Sequence, residues 1–516
     1  MFVSALVVVS VFFAISRVLA YITALKRVSH MPGLRCALAP MAFPGAIFPT
    51  TFWNPGLLWP WEWRKSAYQQ FQAHTISCVP FLSGPPSIYT SSVEVAKQIF
   101  SPRLEIWKDP HANEILSIWG DNVLSSNHDM HKRHRRVAGS AFNGDTYNMV
   151  MQETANLYYE MMECEDWSTS PTVTITAING YMSKFTLGVI SRCGFGIPFP
   201  WKGSTKVDGM TFYEALIVVA KSSIVRIATP RWAYKLPIRK LHDVEKAFST
   251  LSVFMDDLIR TRKEEFAHDD VASKTRQDLF TKLVAASGSA NEKNKLDDQE
   301  LIGNVFTFLF AGHETTSHSL SAILAMLALH PEEQDILFAH IIEVLGDDRV
   351  PTPAQVDAMY KVLACFQETV RMFPSAALLT RDTTDVITLN LPEEDGVKPV
   401  VVEAGVRLVV DMIGMHHNPQ LFPDPERFMP SRWYDSCDSD LTFFGMGHRI
   451  CLGKKFAMVE AVTFLALFFR EWKVEPVLAD GETLAQWQER TMQMGMRGLA
   501  FGVRDVPLKL NKRRNA

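Results

Sequence analysis

The stretch FFGMGHRICLGKK, Phe443 to Lys455, sets one cysteine behind two glycines and ahead of a third, with an arginine two residues upstream. A buried cysteine commonly serves as a small hydrophobe, a use that makes no demand on its neighbours. Here the neighbours are specified, in the order F-x-x-G-x-R-x-C-x-G: Phe444, Gly447, Arg449, Cys451 and Gly453. Glycines let backbone approach a flat ligand and point N–H groups at a sulfur. The following run, KKFAMVEAVTFLALFFREW, reads as a helix, and a helix start just past a cysteine favours the thiolate. A thiolate held this way is a metal ligand, and haem iron bound by cysteine is one known form. Arg449 is close enough in sequence to meet a carboxylate on that ligand.

Working outward, NVFTFLFAGHETTSHSL (304–320) lies in the longest helical run. Phe306 and Phe310 share one face at helical spacing, and His313 falls near it. Gly312, Glu314 and Thr315 interrupt this apolar pattern. A mid-helix glycine costs about 1 kcal/mol relative to alanine, and a buried carboxylate needs a partner. The two readings are a polar kink in a packing helix and a local opening where a ligand approaches and protons move. In CFQETVRMFP (365–374), Glu368 and Arg371 are i, i+3 neighbours. Such pairs contribute little on a surface, so the pair matters only if a third group locks it inside. DPERFMPSRW (424–433) offers Arg427 for a mutually satisfied carboxylate–guanidinium cluster.

The composition excludes little. The chain has 516 residues, 47% hydrophobic and 21% charged, with a net charge of −4; this is ordinary for a folded protein and points to no nucleic-acid partner. Seven cysteines without a C-x-x-C pair argue against a disulfide framework and a structural zinc site. Phe2 to Leu25 is apolar apart from Arg17 and is followed by Lys26, Arg27, His30 and Arg35. About 20 apolar residues span a bilayer, and flanking positive charge stays cytoplasmic, which predicts a transmembrane anchor with the rest of the chain in the cytosol. A cleaved signal peptide would carry its charge before the apolar run. Arg17 is costly at mid-membrane unless it snorkels. MPGLRCALAPMAFPGAIFP (31–49) is a proline-punctuated connector. TFWNPGLLWPWEWRK (51–65) carries four tryptophans suited either to the membrane interface or to the edge of the core.

Helices are predicted over 243–266, 298–330 and 331–345, the last with Pro331 in its first turn. Strand signals are fewer: 80–92, 400–410 with a Glu-Ala-Gly turn, and 497–510. The body is therefore mainly α with a smaller β portion. It divides into an anchor over 1–27, a proline- and tryptophan-rich hinge over 28–65, and a catalytic domain over 66–516.

Taken together, these motifs closely resemble the cytochrome P450 haem-thiolate monooxygenases, of the membrane-anchored eukaryotic kind, with a style similar to basidiomycete fungal members. The resemblance rests on A311-G312-H313-E314-T315-T316, Glu368 with Arg371, P-E-R-F at 425–428 and the cysteine loop at 444–453, in that order along the chain. It implies the cytochrome P450 fold and haem b (iron protoporphyrin IX), with Cys451 as axial ligand of the iron. It implies that Phe444, Gly447 and Gly312 lie against the cofactor. Glu314 would relay protons and Thr315 would be the hydrogen-bonding alcohol. HKRHRR (131–136) matches the family's W-x-x-x-R, with His131 in place of the tryptophan and Arg135 as the arginine; both, with Arg381 and Arg449, would face haem propionates. A solvated or partner-docking basic face is the other use of that segment.

No flavin or nicotinamide fingerprint is present, so electrons must come from outside. The family implies NADPH–cytochrome P450 reductase, with cytochrome b5 as a further donor, and Lys454 and Lys455 are candidate docking charges. It also implies an endoplasmic reticulum membrane location, single-pass, in contact with membrane lipid. The substrate is expected to be a hydrophobic small molecule facing Phe306, Phe310 and Ala376–Leu379, with a terpenoid of fungal secondary metabolism the preferred class. A haem-thiolate isomerase or dehydratase, and a non-catalytic haem or lipid carrier, are the alternatives; retention of Glu314 and Thr315 speaks against both.

Overall fold

The computed structural model describes residues 2–101, 106–108, 114–203, 206–207, 209–267, 278–287, 295–392, 399–435 and 442–513. Cys437 lies outside the described residues. Two compact units are interleaved along the chain. The first comprises Met1–Asp109, Ala376–Arg427 and Thr442–Ile450; the second comprises Pro110–Ser375, Phe428–Leu441 and Cys451–Ala516.

The first unit carries most of the β structure. Its six-stranded sheet contains β1 (Gly33–Leu38), β2 (Thr75–Ser83), β3 (Ser87–Thr90), β4 (Ile106–Trp107), β5 (Leu378–Thr383) and β6 (Arg407–Asp411), in the order β1-β2-β3-β6-β5-β4. The 400–410 signal is two strands that never pair with each other. Val400–Val402 pairs with Ile387–Leu389, whereas β6 pairs with β3 and β5. Gly405, at φ +79°, makes the turn between them.

Helix α1 (Phe2–Arg27) is apolar and long enough to cross a membrane, and its two ends differ. Residues such as Val3, Val8 and Phe12 are exposed. From Arg17 onward the helix engages the sheet: Arg17 donates to the Leu82 carbonyl at 3.0 Å, and the Tyr21 and Phe81 rings are 5.1 Å apart. Ala24 and Val28 are buried in one core with Val79, Ile88 and Leu408. The tryptophans of 51–65 also divide. Trp59 and Trp61 are buried, and Trp59 meets the Tyr89 ring at 4.9 Å, while Trp53 is exposed. Arg64 stacks over Trp61 at 4.0 Å and binds Glu426 of the P-E-R-F segment at 2.9 Å.

The second unit is mainly helical. Its principal elements are α2 (His128–Gly139), α3 (Gly144–Cys164), α4 (Ile178–Phe195), α5 (Asp298–Leu329), α6 (Tyr360–Met372) and α7 (Lys454–Glu471). A small sheet joins Trp472–Pro476, Leu508–Lys512 and Thr172–Ile175. The helix over Pro331–Leu345 begins at its proline as expected. Helix α5 starts at a capping box in which Asp297 and Glu300 satisfy each other's backbone N–H. Thirty-two residues then run without a break.

Glu368 on α6 is fully buried, and its ionised form is satisfied by five N–H groups. Arg371 donates twice, from Nε at 2.8 Å and Nη2 at 2.9 Å. Arg432 Nε at 3.0 Å, the Met429 backbone N–H at 3.0 Å and Trp433 Nε1 at 2.9 Å complete the set. The partner supplied by the 424–433 segment is therefore Arg432. Arg427 is exposed, because the chain turns inward only at Phe428 and the 3-10 turn Pro430–Trp433 aims Arg432 and Trp433 at the carboxylate. Glu368→Ala strands two guanidinium groups in the core and is expected to destabilise the protein by about 3–5 kcal/mol. Arg432→Ala should lower the urea midpoint clearly. Arg427→Ala should stay within about 0.5 kcal/mol of the parent, as surface changes do; equal losses for both arginines would contradict this cluster.

Candidate active site

Cys451 is solvent-accessible, three residues before α7 begins. The protein packed round its sulfur pushes the thiol up, while the Gly453 N–H, Arg135 and Lys454 pull it down. Burial outweighs them, so the thiol is shifted upward on balance; the donor N–H, the cations and the helix start oppose that shift. A Cβ on Gly453 would lie 3.9 Å from the sulfur, an ordinary contact, so Gly453 serves through its N–H. Helix α2 lies beside this loop, with Leu452 3.8 Å from where a side chain on Gly139 would start. Arg135 and His131 precede Gly139 at i−4 and i−8, which puts them on the same side of α2. His131 is buried and Arg135 half-buried.

The first unit contributes a cluster of cations. Burial pushes the Lys108 ammonium well down, and repulsion from Arg381 and Arg449 pushes it further. Burial also lowers Arg381 to about 10, with Asp382 opposing, and its guanidinium lies over the Phe100 ring at 5.0 Å. Lys108 is thus a buried ammonium beside two guanidinium groups, and guanidinium groups are the usual partners of carboxylates. Gly447, at φ +62°, lies close to Phe100, whose carbonyl oxygen would be 3.3 Å from an added Cβ; the Phe443 and Phe444 rings meet at 5.2 Å. Taken unit by unit, the donor chemistry fits an iron porphyrin: a thiolate ligand with Arg135 nearby in one, and guanidinium groups suited to propionates in the other.

Helix α5 packs tightly on α4. A Cβ on Gly312 would meet the Ile190 side chain of α4 at 2.9 Å, and Thr186 of α4 donates to the His313 carbonyl at 2.9 Å. Gly312 therefore lets two helices approach closely. Phe306 is buried against Trp119, with ring centres 4.4 Å apart, and stacks on Phe310 at 6.0 Å.

Glu314 and Thr315 are adjacent in sequence and differently engaged. Thr315 Oγ1 donates to the Ala311 carbonyl at 2.8 Å and keeps its lone pairs. The buried Glu314 carboxyl accepts from the Leu499 N–H at 3.1 and 3.3 Å. Burial raises its pKa to about 7, with the Leu499 and Ala500 N–H groups opposing. The turn at 497–500 carries no charge pattern or motif that would have linked it to α5, and sequence reading missed it.

The basic segment 131–136 is mostly used internally. His134 is fully buried, 2.9 Å from Asn304 Nδ2 and 3.4 Å from Glu300, and Arg133 pairs with Glu300. Lys132 pairs with Asp129 at 2.9 Å on the surface, and Arg136 is exposed. Of the two candidate docking lysines, Lys455 is exposed and paired with Asp357 at 2.8 Å. Lys454 is buried beside the cysteine loop, so it is withdrawn as a surface docking charge.

Comparison with known proteins converges on the same chemistry. The cytochrome P450 family pattern matches residues 60–493. Cytochrome P450 monooxygenase 124 of Postia placenta is 30% identical over 97% of both chains. A phomenoic acid biosynthesis cluster cytochrome P450 monooxygenase of Leptosphaeria maculans is 25% identical over 80% of this chain and 78% of its own. Cytochrome P450 4A2 of Rattus norvegicus is 27% identical over 71% and 73%. With a haem-thiolate cofactor implied by that match, the chain belongs to the cytochrome P450 family of monooxygenases, oxidoreductases that incorporate oxygen into their substrates.

Proposed function

We propose that this enzyme hydroxylates a hydrophobic small molecule using haem b and two electrons delivered by NADPH–cytochrome P450 reductase, with cytochrome b5 as a further donor. The observation that carries this reading is the retention, on one buried helix, of a carboxyl held by the Leu499 N–H next in sequence to an alcohol whose hydroxyl donates to the Ala311 carbonyl. Haem, when bound, supplies oxygen activation and insertion into the substrate. The chain's residues supply the rest. Cys451 would ligate the iron as thiolate, and His131, Arg135, Arg381 and Arg449 would hold the propionates. Glu314 holds a proton at its carboxyl, and Thr315 Oγ1 can accept and orient a hydrogen bond beside it. The fully buried ion cluster at Glu368 keeps its surroundings rigid.

The substrate is placed among lipophilic metabolites, with a terpenoid of fungal secondary metabolism preferred. The biosynthetic-cluster name of the Leptosphaeria relative supports a secondary-metabolic setting. The apolar α1 supports attachment to the endoplasmic reticulum membrane with the catalytic units in the cytosol. Microsomes holding the protein and reductase, offered a lipophilic panel, test this directly: product must require both oxygen and NADPH. Product formed without oxygen would establish an isomerase or dehydratase instead.

Two variants test the assigned roles. The reduced protein under carbon monoxide should show the thiolate-type absorption band, and Cys451→Ala should lose it; a histidine-type band in the parent would sink the ligand assignment. Thr315→Ala should keep that band and increase, by about tenfold or more, the peroxide released per product formed. Unchanged coupling would remove Thr315 from the proton path.

A further inference from the structure

Glu314 is covered by a hairpin near the C-terminus of the chain, and the fit between them is narrow. A Cβ built on Gly498 would lie 1.6 Å from Glu314 Oε1 and 2.8 Å from its carboxyl carbon. No side chain can stand there while the carboxyl keeps its place. The backbone does not ask for glycine at this position, since the φ of Gly498 lies outside the left-handed region. The same relation recurs one helical turn on. A Cβ on Gly502 would meet the His318 ring at 2.7 Å, so glycines four apart on the hairpin cover side chains four apart on α5.

The hairpin is held in place independently of Glu314. Gly495 and Met496 pair with Gly502 and Phe501. The Arg497 N–H closes the turn on the Ala500 carbonyl at 3.0 Å. The Phe501 N–H donates to the Ser375 carbonyl at 3.0 Å, and Ser375 Oγ donates to the Thr315 carbonyl at 3.2 Å. One short segment thus reaches both members of the acid–alcohol pair, gripping the carboxyl of one and linked through Ser375 to the backbone of the other.

We propose that Gly498 is a positioning residue for Glu314: the 498–500 turn grips and covers the carboxyl, and its position decides whether the acid is kept proton-loaded or released to water. This deepens the reading of Glu314 as a proton donor and rests on it. The sign follows from what the turn does. Covering the carboxyl removes water, which favours the neutral acid, while the Leu499 and Ala500 N–H groups partly offset this. The other titratable groups near this face are His313, His318 and Arg497. Burial drives both histidines down to about 4, which leaves Arg497 as the cation near His318 at neutral pH. Lifting the turn admits water, so the acid ionises at lower pH and is no longer loaded at pH 7.

The first test needs no turnover. Thermal unfolding of the holoprotein is measured for the parent, Gly498→Ala, Glu314→Ala and the double variant. The added methyl collides only with the Glu314 carboxyl, so the Tm drop caused by Gly498→Ala should be at least about twofold larger with Glu314 present than absent. Equal drops in the two backgrounds would overturn the grip. The second test is the fraction of NADPH electrons released as peroxide, followed against pH. In the parent it should rise through about pH 7 as Glu314 ionises, and Glu314→Gln should abolish the inflection. Gly498→Ala should move the inflection toward the ordinary carboxylate range, about pH 4–5, with the thiolate-type band retained. An unmoved inflection would overturn the positioning role. Coupled Tm values without any Glu314-dependent inflection would refute the proton-donor reading and leave the grip standing.

Discussion

The Glu368 carboxylate is the interaction on which the second unit's arrangement turns. Burying an ion without compensation costs several kcal/mol, and here five N–H donors, from two guanidinium groups, an indole and a backbone amide, provide it. Two of those donors belong to α6 and the other three to the segment at 429–433. The cluster therefore fastens a helix to a stretch with almost no regular structure of its own. That stretch lies in the second unit's segment Phe428–Leu441, after which the chain enters the first unit at Thr442 and returns at Cys451. A loop that must present a sulfur in one geometry cannot follow a segment free to move. This makes a buried polar cluster, a poor device for stability alone, reasonable here as a device for specificity.

How far this was legible depends on whether a residue's use is set by its near neighbours or by distant ones. The cysteine loop, the helix after it and the Pro331 helix start are local, and the sequence pattern located all three. The cluster at Glu368 was half legible. An acid and an arginine three apart on a helix are local, but the second arginine read from the sequence is Arg427, five positions before the residue that fills the role. Only the 3-10 turn at Pro430–Trp433 decides which one points inward. Gly312 is similar: a helical glycine signals close approach, and nothing in the sequence names Ile190 as the side chain that approaches it. Lys454 and Lys455 look alike on paper, and a rotation of about 100° along α7 buries one and exposes the other.

The same limit explains why Glu314 was found and its partner was not. An acid in an apolar helix announces itself, because burying it must be compensated. The compensating groups are main-chain N–H donors of a turn some 185 residues further on, and backbone donors leave no trace in composition. What the turn does leave is a pair of glycines at 498 and 502. Their spacing of four, matching Glu314 and His318 on α5, is interpretable only once the two segments are known to meet.

Arg17 shows a cost read correctly from sequence and resolved unexpectedly by structure. An arginine within an apolar span must find either water or a partner. Here the guanidinium reaches the Leu82 carbonyl, and the helix beyond it is committed to the first unit through Tyr21, Ala24 and Val28. Val18, Leu19 and Ile22 nevertheless stay exposed, so an apolar face continues along α1 past Arg17. A bilayer's hydrocarbon core is about 30 Å thick. A helix of this length and composition could cross that thickness provided the guanidinium keeps a polar partner. The Leu82 carbonyl is such a partner, so the arginine is satisfied by protein while the apolar residues on either side of it stay open.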